Sequence, residues 1–149
     1  MSDASIPKEN NMYTIEPQSI TLSDFESSGY VLDIGGGGEG VIGRLKGAKV
    51  IAIDPLKEEL QEVPSGPLKI VMDAREMKFL DGGFSVVTCF FTLMYLKTSD
   101  HEQVFQEIHR VLEPGGSLMV WDVNIPQRKH EAKDIFVVPL TIQLPKENI

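Results

Sequence analysis

Ten residues carry the densest chemical information in this sequence: Val31-Leu32-Asp33-Ile34-Gly35-Gly36-Gly37-Gly38-Glu39-Gly40. An apolar run that breaks into consecutive glycines lets the backbone turn tightly and lets a ligand approach its amides. If a helix follows, its N-terminus adds partial positive charge at the same place. Gly35, Gly37 and Gly40 satisfy G-x-G-x-x-G, a spacing that is weak evidence by itself. Asp54 strengthens it, because it stands 19 positions after Gly35 at the carboxyl end of the next apolar run. A carboxylate there can accept hydrogen bonds from both hydroxyls of a ribose. The two features together point to an adenosine-containing ligand bound across strand ends.

Two classes of ligand then compete, a nicotinamide or flavin dinucleotide and S-adenosylmethionine. Asp33 lies two residues before the first glycine, where a pyrophosphate would have to pass over it. A carboxylate repels that anion and suits the ammonium or sulfonium side of S-adenosylmethionine, directly or through water.

These residues need a scaffold, and the hydropathy pattern describes one. Tyr30 to Ile34, Val50 to Ile53, Leu68 to Met72, Phe84 to Phe90 and Ser117 to Val123 are five apolar or β-branched runs separated by helical or connecting segments. Runs of nearly continuous apolar character suit strands covered on both faces, and the alternation predicts an α/β fold of Rossmann-like type with a mainly parallel sheet and helices on both faces. The clearest helix is predicted over Asp100 to Leu112, where Val104, Phe105, Ile108, Val111 and Leu112 share a face. Ser99 and Glu102 have the form of a capping box, and Pro114-Gly115-Gly116 is expected to stop the helix. The helix after the glycines has only Glu39 to Lys46 and should make about two turns.

With these pieces in order, residues Tyr30 to Ile125 resemble the class I S-adenosylmethionine-dependent methyltransferases, in particular a small-molecule group with a short D-x-G-x-G loop. The resemblance implies that Asp33, Gly35, Gly36 and Gly37 form the loop around the methionine part of the cofactor and that Asp54 binds the ribose. It further implies that Leu56 packs on the adenine, that Asp73 accepts from the adenine amine while the Ala74 amide meets a ring nitrogen, and that Phe90 lies near the methionine end. Glu107 to Gly116, reading EIHRVLEPGG, is similar to the family's helix and turn before the fifth strand. The sequence departs from the pattern at Glu39, where a third glycine is usual, and at Ser85, where many relatives have Asp.

The remaining reactive residues give no catalytic dyad. Methyl transfer from a sulfonium needs alignment and exclusion of water more than acid-base groups, so the catalytic residues stay unassigned. Thr92, Met94, Tyr95, Trp121, Asp122 and Asn124 follow the fourth and fifth strands and are expected on the substrate side. Asp122 reads more readily as a strand-end hydrogen-bonding residue than as a base. His101, His109 and His130 read as surface residues, Cys89 as a buried thiol, and no metal site is expected.

Charge and length narrow the class of partner. The 149 residues carry a net charge of -8, half of it in residues 1 to 28, and the motif of amino-group nucleic-acid methyltransferases is replaced by Phe90-Phe91-Thr92-Leu93. This points to a small molecule or a protein rather than nucleic acid; a small-molecule acceptor is the expectation adopted, and no membrane partner. The lone Cys89 and an N-terminus lacking a signal peptide suggest a cytoplasmic location. Residues 1 to 28 read as an N-terminal arm and 29 to 149 as the cofactor-binding domain. About 24 residues follow Ile125, few for the helix and strand pair that normally complete such a sheet. Ile135 to Leu144 could supply one strand, with Pro139 confining it to an edge or breaking it. A minimal version, a homo-oligomer completing the sheet and a truncated product all fit. A noncatalytic S-adenosylmethionine-binding or assembly domain and an NAD-dependent oxidoreductase are the rival readings.

Overall fold

The computed structural model describes residues 12–123 and 135–149. In chain order these form β1 (Met12–Thr14), β2 (Gln18–Thr21), β3 (Val31–Ile34), α1 (Val41–Lys46), β4 (Val50–Asp54), α2 (Lys57–Glu62), β5 (Leu68–Val71), β6 (Phe84–Phe90), α3 (Thr98–Val111), β7 (Leu112–Trp121), β8 (Ile135–Val137) and β9 (Leu140–Gln143). Residues 25–123 make one compact unit, and the described residues before and after it belong to a second.

The first unit holds a five-stranded sheet in the order β5-β4-β3-β6-β7, and every neighbouring pair is parallel. This is the Rossmann-like α/β arrangement that the strand and helix alternation predicts. Central β3 is buried at all four positions, which explains why its sequence does not alternate. Leu32 and Ile34 join Ile53, Val87 and Cys89 in a core closed by Val104, Ile108 and Val111 of α3. Val31, Asp33, Val50, Ala52, Val86 and Thr88 occupy the alternate positions and are also buried. The sheet ends at β7 among the described residues.

Some element ends differ from their sequence signals. α3 begins at Thr98 with Lys97 as an extended N-cap and no side-chain cap, so Ser99 lies inside the first turn and the Ser99/Glu102 capping box is not formed. At its other end the chain becomes extended at Leu112, which pairs with Phe84 before the register shifts and Ser117 pairs with Val86. Pro114, which has no N–H, and Gly115 at φ 80° occupy that irregular stretch, so the strand starts earlier than its apolar run suggests. α1 is shorter than expected because Gly40 sits in the left-handed region at φ 60° and delays the first helical residue to Val41.

The second unit pairs the two ends of the chain. β1 runs parallel to β8 and β2 parallel to β9, with Tyr13 opposite Phe136 and Ile20 opposite Ile142. The run from Ile135 to Leu144 is thus two strands, broken around Pro139, whose carbonyl accepts from the Gln18 amide at 2.9 Å. Beyond β9 the chain turns back, and Ile149 and Ile142 exchange two backbone hydrogen bonds of 2.8 Å. No helix among the described residues is long and apolar enough to cross a membrane.

Ile108, on the core-facing side of α3, is 2% exposed. Ile108→Ala should lower the unfolding free energy by about 2 to 5 kcal/mol in urea denaturation, whereas Glu102→Ala on the exposed side should change it by less than about 0.5 kcal/mol.

Candidate functional site

Because all five strands are parallel, their carboxyl ends share one edge, and the residues singled out by the sequence gather there. The chain steps from β3 to β4 on one side and reaches β6 on the other, so the loop after β3 stands at the point where strand order reverses. Open α/β sheets bind ligands at such a point.

The glycine loop is fitted into this edge by contact on three sides. Gly35 has φ 68°, and a Cβ on it would lie 2.4 Å from both Oγ1 and Cγ2 of Thr92. The Thr92 hydroxyl in turn donates to the Ile34 carbonyl at 2.9 Å, tying the segment after β6 to the end of β3. The Gly36 amide donates to Ile53 O at 3.0 Å, and a Cβ on Gly37 would meet Glu59 Cβ at 2.6 Å and Asp54 Oδ2 at 2.8 Å. The Gly38 amide completes the docking by donating to Glu59 O of α2 at 2.9 Å.

Asp54 ends β4 beside this loop. Its Oδ1 accepts from the Leu56 amide at 3.0 Å, an Asx-type turn that fixes the carboxylate and leaves Leu56 52% exposed next to it. One strand further out, Asp73 follows β5 and binds Arg75 through the backbone amide at 2.8 Å and through the guanidinium. Hydrogen bonds from the Arg75 side chain hold the Asp73 carboxyl below the usual carboxylate range. Ala74 is buried and contributes its side chain to the core, and Phe90 ends β6 half-buried against Phe91 and Trp121, at ring distances of 4.8 and 5.5 Å. Phe91 is the described non-glycine residue with positive φ, at 51°, and its amide donates to Trp121 O.

Asp33 occupies a different level from the other acids. It is 2% exposed, its Oδ1 accepts from the Thr88 hydroxyl at 2.7 Å, and its Oδ2 would lie 2.8 Å from a Cβ on Gly36. The carboxyl therefore sits beneath the loop. Burial pushes it up to about 7, against the lowering effect of the Thr88 hydrogen bond, and the charge of Asp54 adds to the rise.

Among the described residues expected on the substrate side, one is placed otherwise and the rest differ in exposure. Thr92 is buried and braces the glycine loop, so it is not an open substrate contact. Met94 and Tyr95 are exposed, at 46% and 81%, and Asp122 accepts from the Val123 amide at 2.8 Å, the strand-end role favoured for it. Cys89 is fully buried, and burial with the nearby Asp33 and Asp122 charges pushes its thiol up to about 12. His109 is exposed, whereas His101 is half-buried with Nε2 3.1 Å from Leu93 O. Asn124 and His130 lie outside the described residues. Sequence reasoning missed Thr88, Glu59 and Arg75. Thr88 alone had a legible signal, a hydroxyl in the middle of a mostly apolar strand.

Comparison with known proteins agrees with the fold. Residues 32–120 match the family model described as "Methyltransferase domain". Over 54 residues the chain is 37% identical to a sterol 4-C-methyltransferase of Caenorhabditis elegans, a stretch covering 36% of this chain and 16% of that protein. A solved protein of Pyrococcus horikoshii superposes with a TM-score of 0.56 at 30% identity, covering 61% of this chain and 48% of its own. A putative methyltransferase of Bacillus halodurans gives a TM-score of 0.55 at 24% identity, over 66% of this chain and 46% of that one, a likeness of fold. The chain thus spans about half the length of the solved proteins and a smaller share of the nematode enzyme.

The buried carboxyl gives a testable pH dependence. In the unfolded chain Asp33 titrates near 3.8, so between about pH 4 and about pH 7 the folded protein holds a proton that the unfolded chain has released. The contribution of this group to stability is full below that window and is lost as pH rises through it, by up to about 1.4 kcal/mol per pH unit. Urea denaturation across this range should show the fall, and Asp33→Asn should remove it. An identical slope in the variant would assign the titration elsewhere.

Proposed function

Because this chain belongs to the methyltransferase-domain family, we propose that it is an S-adenosylmethionine-dependent methyltransferase domain acting on a small-molecule acceptor. The observation that carries the reading is the placement of Asp54 at the end of β4, directly beside a glycine loop docked at the reversal of strand order.

The residues present fit such a cofactor chemically. Asp54 and Asp73 are partly exposed acceptors for hydroxyl and amine hydrogens, and exposed Leu56 between them in sequence offers an apolar face for a purine. In this reading Asp54 holds the ribose, Asp73 the adenine amine, the Ala74 amide a ring nitrogen, Leu56 the adenine face, and Gly35, Gly36, Gly37 and Phe90 the methionine end. Asp33 acts from beneath the loop, where a cationic ligand favours its ionised form. The cofactor, when bound, supplies an electrophilic methyl group on a sulfonium. The chain's task is to align that group and keep water from it, which needs no side-chain base. The acidic balance supports a small acceptor over nucleic acid, and a lone buried thiol is compatible with a cytoplasmic setting.

Calorimetric titration with S-adenosylmethionine, S-adenosylhomocysteine and NAD tests the reading. The sulfur ligands should bind and NAD should not. Asp54→Ala should weaken binding of S-adenosylhomocysteine by about 1 to 3 kcal/mol through the lost ribose hydrogen bonds. Binding of NAD alone would overturn the proposal.

A further inference from the structure

The carboxylate assigned to the adenine amine does not stand alone. Arg75 Nε lies 3.1 Å from Asp73 Oδ1 and 3.0 Å from Oδ2, its Nη2 lies 2.6 Å from Oδ2, and its amide donates to Oδ1 at 2.8 Å. Arg75 is itself tethered to α3 at two points, through Nη1 to Asp100 Oδ2 at 3.7 Å and through its carbonyl to Gln103 Nε2 at 3.0 Å. The tether continues along the helix. Glu107 Oε2 accepts from the Met77 amide at 2.6 Å, and Arg110 donates to the carbonyls of Met77 and Phe79 and to Asp81 at 2.8 to 2.9 Å. Residues 100, 103, 107 and 110 lie on one stripe of α3, next to the apolar stripe of Val104, Ile108 and Val111. Alternate residues of the segment from Arg75 to Asp81 are thus fastened to successive turns of a helix that the core holds in place.

Resting on the cofactor reading above, we infer that Arg75 is the positioning residue of the adenine subsite, fixing the Asp73 carboxylate from α3 so that it selects an amino group over an oxo group at the purine 6-position. The acceptor count supports this. A carboxylate offers about four lone-pair sites, and Arg75 meets them in four contacts from only three N–H donors, because the Nε–H is shared between both oxygens, which leaves room for about one further donor. A carboxylate paired with a guanidinium stays ionised and can only accept, so a 6-amino group satisfies it and a 6-oxo group faces it with like polarity. Arg75 and Asp73 are each about half exposed, so their pairing matters for orientation more than for stability.

The test compares binding of S-adenosylhomocysteine with that of S-inosylhomocysteine, its 6-oxo counterpart, by calorimetry on the full chain. Wild type should prefer the adenosyl ligand by at least about tenfold. Arg75→Gln should cut that preference by about fivefold or more, Arg75→Lys should restore only part of it, and Asp100→Asn should produce a smaller loss. The preference is a ratio, so partial unfolding lowers both affinities and leaves it unchanged. An unchanged ratio in Arg75→Gln, or tighter adenosyl binding because the arginine had blocked Asp73, would overturn the inference while leaving the cofactor reading intact. Failure of wild type to bind S-adenosylhomocysteine would overturn both.

Discussion

The close approach of the glycine loop to its surroundings is the constraint on which the rest of this unit depends. A Cβ at Gly35, Gly36 or Gly37 would fall within 2.4 to 2.8 Å of Thr92, Ala52, Asp33, Glu59 or Asp54. No side chain fits in that space. The loop can therefore lie flat across the ends of β3, β4 and β6 only because these positions lack side chains, and the same contacts bring Asp54 to its edge. Thr92 makes the arrangement reciprocal, since it fills the space left by Gly35 and bonds the carbonyl just before it.

Much of this was legible in the sequence, for a physical reason. Buried parallel strands leave unbroken apolar runs, and β6 begins and ends where its run does. The glycines and Asp54 could be read because close backbone approach and a strand-end acid leave few alternatives in residue type. What stayed hidden depends on pairing between distant segments. The Asp33–Thr88 hydrogen bond joins residues 55 apart that face each other across the register of β3 and β6. Arg75 drew no notice in the sequence because only the folded chain shows the helix to which it is tied. The capping box was misleading because Ser99 meets its local rule, yet the helix starts one residue before it. A family resemblance covered the cofactor side, and it was silent on what Arg75 and α3 add.

Helix α3 joins these levels. One stripe closes the core under β3 and β6, and the adjoining polar stripe holds the segment that carries Asp73. Core packing and the placement of Asp73 therefore draw on a single element. Arg110, which binds two carbonyls, Glu107 and Asp81, keeps its charge at any relevant pH, so the clasp does not loosen as the solution is acidified until its carboxylate partners take up protons.

The parallel pairing within the second unit has a mechanical meaning. Residues 25–123 lie in sequence between β2 and β8, so β1–β8 and β2–β9 join segments that are far apart along the chain. In parallel strands, tension on residue 12 and on residue 143 slides the partners along each other, and all their hydrogen bonds are loaded in shear at once. Tension applied between these two residues must then break the strand pairs before it can extend the chain that lies between β2 and β8 in sequence.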